Sequence, residues 1–209
     1  MRMELAAHAA LALVGLLAVT SCSDSPSEPA PAEITLPEPT SPANVLLALE
    51  QLYEDNGIPQ SQRASAFADL LAPPDRQDVP PFRFMYGYCD IECPWYEWHF
   101  DEETHIHERM LTDDRRILLD LQAGPDYDAS YIFPDRPGWR VIRADNVRIS
   151  FWEGGKEVRA FTATEQFFIF APANGRWYLA EWWERRSGSM WASFKSKFAP
   201  SVGASERKH

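Results

Sequence analysis

The feature that most constrains this chain is a change in the spacing of its apolar residues. Up to about residue 112 they recur mainly with the three-to-four spacing of one helix face, broken by one short alternating run at Phe82 to Tyr88, and from Arg115 onward they alternate. Ile117, Leu119 and Leu121 alternate with Leu118 and Asp120 before a break at Gly124-Pro125. Trp139 to Trp152 then read as one long strand with a bulge or break at Asp145-Asn146, and Glu153-Gly154-Gly155-Lys156 turns the chain back. Val158 to Ala171 and Trp177 to Glu184 form the strongest hairpin, closed at Asn174-Gly175, two residue types that tolerate positive φ. Connections this short make these strands antiparallel.

Before the switch, Ser41 caps and Pro42 opens a helix whose Val45, Leu46, Leu49, Leu52 and Tyr53 share a face until Asn56-Gly57. A second helix starts at Ser61, buries Ala64, Phe67, Ala68 and Leu71, and stops before Pro73-Pro74. Phe82, Phe84, Tyr86 and Tyr88 alternate as a strand. Asp101, followed by Glu102 and Glu103, then opens a third helix ending near Leu111, because negative charge suits a helix N-terminus. The fold class expected is α+β, with two or three N-terminal helices packed on a curved antiparallel sheet. With 45% apolar residues and eight Trp in 209, the chain can bury a substantial core.

The first residues read as an export signal. Leu5 to Val19 are almost wholly apolar, but about 20 such residues are needed to span a bilayer. Val19-Thr20-Ser21-Cys22 resembles the lipobox of bacterial lipoproteins, which implies acylation of Cys22 and removal of residues 1–21. Two or more acyl chains would give a stable membrane anchor. By the same resemblance, Ser23 implies the periplasmic face of the outer membrane if the host is Gram-negative, and the cell envelope in any case. Residues 22–40, with Pro at 26, 29, 31, 37 and 39, form a solvated linker. The folded domain is expected over 41–198 and a disordered tail over 199–209.

With Cys22 lipidated, Cys89 and Cys93 remain for a disulfide in an oxidising compartment. Four residues of straight strand span about 13 Å, so the chain must turn between them. Neither a redox pair nor a metal site fits: the spacing is one residue too long for the familiar redox motif, and His99 is a single further ligand.

Ser41-Pro42-Ala43-Asn44-Val45, the helix end Ala68 to Leu71 followed by Phe82-Arg83-Phe84, and Gly175-Arg176-Trp177 resemble a group of bacterial lipoproteins with an NTF2-like (SnoaL-like) domain. The resemblance covers roughly residues 41 to 198 and implies a cone, closed on one side by helices. It implies no particular reaction. In the wider superfamily the cone binds a small molecule, hosts an isomerase or dehydratase, or is filled while the sheet binds a partner, so fold does not decide function.

Four residues are candidates for lining such a cone: Glu181, Asp120, His107 and Trp183. Either carboxylate, projecting into apolar surroundings, would hold its proton more tightly and suit proton transfer. The alternative for Glu181 is a place at the sheet rim, paired with Arg148 or Arg159. His105 and His107 lie about 200 degrees apart on a helix, so one metal ion cannot easily take both, and His107 leans toward the core. A net charge of −11 argues against nucleic acid. No phosphate loop, nucleophile elbow or zinc-protease motif is present, so no cofactor, metal or catalytic residue is assigned. The expectation is a lipid-anchored binding domain for a small apolar or aromatic molecule or an envelope protein, with acid–base enzymology in the cone as the alternative. Met190, Trp191, Phe194 and Phe198 are expected to cover part of the aromatic sheet, and a homodimer through a sheet face is the second choice.

Overall fold

The computed structural model describes residues 35–55, 57–87, 96–184 and 191–199. Cys22, Cys89 and Cys93 lie outside them, as do the signal, most of the linker and Met190.

Helix α1 (Pro42–Glu54) starts as its sequence requires: the Ser41 hydroxyl accepts the Asn44 N–H at 3.2 Å, and Pro42 occupies the first turn, where no N–H is needed. Its buried face holds Val45, Leu46, Ala48, Leu49, Leu52 and Tyr53. Helix α2 (Gln60–Leu70) borrows its cap, because the Gln60 N–H donates to Asp113 at 2.9 Å across the fold. Helix α3 (Phe100–Met110) begins one residue before the expected Asp101 cap: His99 is the N-cap and Glu102 reaches back to its N–H at 3.2 Å. The acidic first turn, Asp101 to Glu103, stands where expected.

The strands are β1 (Arg83–Tyr86), β2 (Tyr96–His99), β3 (Arg115–Asp128), β4 (Arg140–Glu153), β5 (Lys156–Ala173) and β6 (Arg176–Glu184), in the order β2-β1-β6-β5-β4-β3. A short helix α4 (Trp191–Lys195) follows. The fold is the expected α+β, helices on a curled, mainly antiparallel sheet. One pair departs from antiparallel order: β1 runs parallel to β6, Phe84 opposite Trp182. The break expected at Gly124-Pro125 is a pair of bulges inside β3, which continues to Asp128 while its register against β4 shifts between Asp120 and Gln122 and between Ala123 and Asp126.

Asn146 is the bend expected in β4. Its φ is +52°, and the buried set changes from Ile142 and Ala144 to Val147, Ile149 and Phe151 across it. Because side chains alternate strictly, such a change of parity needs a local rotation of the strand. The pairing with β5 keeps its register there, Asp145 opposite Glu165 and Val147 opposite Ala163, so both strands turn together. Bulges between Phe151 and Trp152, and at Ala180 opposite Ile169 and Phe170, add further curvature.

Helix α1 packs on β3, β4 and β6, and α2 lies against α1 and α3. Helix α4 sets Phe194 against Phe151, Phe161 and Trp191, with ring centroids 4.8, 5.2 and 5.7 Å apart. It covers aromatic sheet residues intramolecularly.

Candidate functional site

The inner side of the sheet carries a buried polar group set inside an aromatic box. Alternation puts Trp182 and Glu184 of β6 on this side, opposite Phe168 and Gln166 of β5. Phe84 of β1 and Trp98 of β2 join them: their ring centroids lie 5.6 Å apart, and Phe84 meets Trp182 edge-on at 5.4 Å. Trp98, Trp182, Phe84 and Phe168 are at most 1% exposed. These rings pack on one another and are closed off from solvent.

Lys195 of α4 enters this box. Its Nζ sits 3.2 Å from the Phe84 ring centroid, 5.1 Å from that of Trp98 and 5.3 Å from that of Trp182, and it pairs with Oε1 of Glu103 on α3. Both side chains are completely buried. Burial lowers the Lys195 pKa and raises that of Glu103, and in each case the partner's charge only partly offsets it. Glu184 accepts the N–H groups of Trp191 and Ala192 at 2.7 and 2.8 Å, which fixes the start of α4. Burial raises its pKa as well, against those two hydrogen bonds.

One turn beyond Glu103, His107 is fully buried. Its Nδ1–H donates to the Glu103 carbonyl at 2.9 Å, so Nε2 is the acceptor, and the Tyr53 hydroxyl donates to it at 2.5 Å. Phe67 stacks on the imidazole at 3.7 Å between centroids. Burial, with the Lys195 charge added, pushes the His107 pKa well below its ordinary value, and burial pushes the Tyr53 phenol well above its own. Nearby, the buried Arg63 guanidinium donates to the carbonyls of Leu52, Tyr53, Thr112 and Arg115 at 3.0 to 3.3 Å. It binds the end of α1 to the start of β3.

The four candidates do not meet in one pocket. Glu181 and Trp183 alternate with Trp182, so they face the outer side of the sheet. Glu181 is 1% exposed, yet its partners are neither Arg148 nor Arg159. Arg83 of β1 donates to it at 2.5 Å, Arg136 at 2.9 Å and the Trp183 indole N–H at 2.8 Å. Arg136 is held between the Phe133 and Trp139 rings, 4.7 and 4.6 Å from their centroids. Glu181 therefore ties the segment before β4 to the sheet. Arg148 instead pairs with Glu157 at 3.0 Å. Asp120 is exposed on β3. Only His107 stands in the interior, and the helix turns His105 away from it, toward a shallow groove of about 450 Å³ between α2 and α3 shared with Ser61, Ser65, Asp101, Thr104 and Glu108.

Chemically, the interior offers a neutral imidazole already bonded at both nitrogens, and an amine already paired with a carboxyl. Sequence reasoning did not select Tyr53, Glu103, Glu184 or Lys195. The available signals were Glu103 four residues before His107 on one helix face, and Lys195 inside the aromatic run Trp191, Phe194, Phe198.

No family model and no curated protein sequence matches the chain. Among solved structures, it is similar to an NTF2-like family protein from Streptomyces avermitilis, at 11% identity and a TM-score of 0.39, over 71% of this chain and 100% of that one. It is also similar to a protein of unknown function with a cystatin-like fold from Nostoc punctiforme, at 11% identity and a TM-score of 0.37, over 72% and 91% of the two chains. These likenesses are distant. The architecture rests on the strand order and register given above.

Proposed function

We propose that this chain is a lipoprotein of the cell envelope whose NTF2-like domain works as a binding module and not through catalysis in its cone. The observation that carries the reading is the state of the interior: its rings pack on one another out of contact with solvent, and its acid–base groups are bonded to one another. Recognition then falls to the outside. Tyr127, at the far end of β3, and Tyr131, in the 3-10 turn that follows it, are 50% and 71% exposed, and tyrosine supplies large contact area at low entropic cost. An envelope protein is the partner this surface suits best. The lipobox at Cys22 supports the anchor.

Two experiments test the reading. Fractionation of cells carrying the full chain is expected to place it in the membrane, and Cys22→Ala to release it; a wild-type chain free of acyl mass overturns the anchor. Photo-crosslinking from position 131 is expected to yield one reproducible adduct that Tyr127→Ser weakens, whereas labelling indistinguishable from that at His105 overturns this surface.

A second reading, acid–base enzymology in the cone, is favoured by one observation: five titratable groups with displaced pKa values cluster there. It requires a turnover that His107→Gln abolishes without unfolding the domain.

A further inference from the structure

The pair formed by Lys195 and Glu103 is the most costly feature of this interior if it is only an ion pair. Both side chains have zero exposure, and two charges taken wholly out of water seldom recover their hydration through one hydrogen bond and the faces of three rings. The contact is also incomplete: Glu103 Oε2 is buried and has no hydrogen-bond partner among the described residues. The indole N–H of Trp98, on the ring 5.1 Å from Nζ, is likewise buried and unpartnered. A carboxylate there would keep one oxygen with nothing to accept.

We propose that Lys195 and Glu103 are joined by an isopeptide bond, an amide between Nζ and Cδ formed from the two side chains with loss of one water. The amine is the nucleophile and the protonated carboxyl the electrophile. The Nζ lone pair attacks Cδ and the Nζ–Cδ bond forms. A proton passes from nitrogen to the departing oxygen, the Cδ–O bond breaks, and water leaves. Nothing is oxidised or reduced, and no other reactant is needed. The reaction discards one of the two Glu103 oxygens and replaces two buried charges with a neutral amide.

Three features of the site favour this condensation, which is unfavourable between free solutes in water. Burial drives both groups toward the neutral forms that react, as the directions of their pKa shifts state. Phe84, Trp98 and Trp182 set their rings around Nζ, and both reacting side chains have zero exposure, which keeps bulk water from the bond. The fold itself supplies the encounter: residues 92 apart in sequence are held in contact by α3 and by an α4 whose start Glu184 fixes, and groups positioned in this way behave as if at about 10⁵–10⁸ M. The product would fasten the last helix covalently to the third.

The test is a digest of the full, folded wild-type chain analysed by mass spectrometry. Expected is a branched peptide joining the Glu103 and Lys195 segments, lighter by one water than their sum, in the majority of molecules. After denaturation and reduction, the wild-type chain should also run faster on a gel than Lys195→Arg, which retains a cation but has no competent amine. Recovery of both segments as separate peptides of full mass from folded protein, with the Lys195 amine open to acylation once denatured, overturns the proposal. So does equal mobility of the wild-type and Lys195→Arg chains. Near-ultraviolet circular dichroism establishes that each sample is folded, and Glu103→Met at unchanged spectrum, which has no acyl carbon to attack, gives a second control for the gel.

Discussion

His107 is neutral because nothing around it can accept the cost of a charge. Its two nitrogens are committed to the Glu103 carbonyl and the Tyr53 hydroxyl, and burial beneath the Phe67 ring opposes a second ring proton. An unfolded imidazole titrates near pH 6.5, whereas the folded one stays neutral well below that. As pH falls below about 6.5 the unfolded chain takes up a proton that the folded chain does not, so this residue's contribution makes stability decline, by up to about 1.4 kcal/mol per pH unit until the folded pKa is reached. Glu184 acts in the opposite sense, because burial raises its folded pKa. The clean measurement is therefore a difference: between pH 6.5 and 5.5, proton uptake on unfolding should be smaller in His107→Gln than in wild type, by up to about one proton. Equal uptake would mean that the folded imidazole is charged. At this scale the sequence marked His107 as core-leaning, since helical spacing separates it from His105, but it did not reveal the partners of Glu181. Its two arginines come from β1 and from the segment before β4, remote in sequence and brought together only by the sheet.

The elements with a local cause were legible. Ser41-Pro42 starts α1, Asn174-Gly175 closes the last hairpin with φ of +51° and +76°, and Asn146 bends β4 where a residue tolerant of positive φ interrupts the alternation. A β-branched residue at that φ is strained by about 1–2 kcal/mol, so Asn146→Val should lower stability by that amount in urea denaturation while Asn146→Gly changes it little. A fully tolerated Val would relocate the bend. Helix α4 depends on a group outside itself. Glu184→Ala strips the acceptor from two N–H groups in a buried setting, at about 1–3 kcal/mol each. Amide exchange over residues 191–199 should accelerate more than exchange in α1, and uniform acceleration would show that α4 opens only with the whole domain. What the sequence could not show is why Gly124-Pro125 fails to end β3: the residues permit a break, and pairing with β4 converts it into bulges.

For the whole molecule, the decisive contacts join segments that no local pattern relates. The parallel pairing of β1 with β6 sets Phe84 beside Trp182, and the alternation of β6 then assigns Trp182 inward and Glu181 outward. From the sequence both faces of that strand look apolar, so the inner side stayed undetermined. The same closure explains why the C-terminal segment matters beyond its length. Trp191 is fully buried and Phe194 is 9% exposed, and both cover Phe161 while Phe194 also covers Phe151. Burial of two such side chains is worth roughly 1.5–3 kcal/mol each, and removing them uncovers the rings beneath. A chain ending at Glu184 should therefore melt at a markedly lower temperature and bind an apolar dye while folded, because Phe151, Phe161 and the box around Phe84 then face solvent. The dye binding distinguishes an uncovered interior from general loosening when it saturates at one site and near-ultraviolet dichroism persists. If the shortened chain melts with wild type and binds no dye, the interior is closed without α4, and the closed interior on which the binding-module reading rests does not depend on the C-terminal helix.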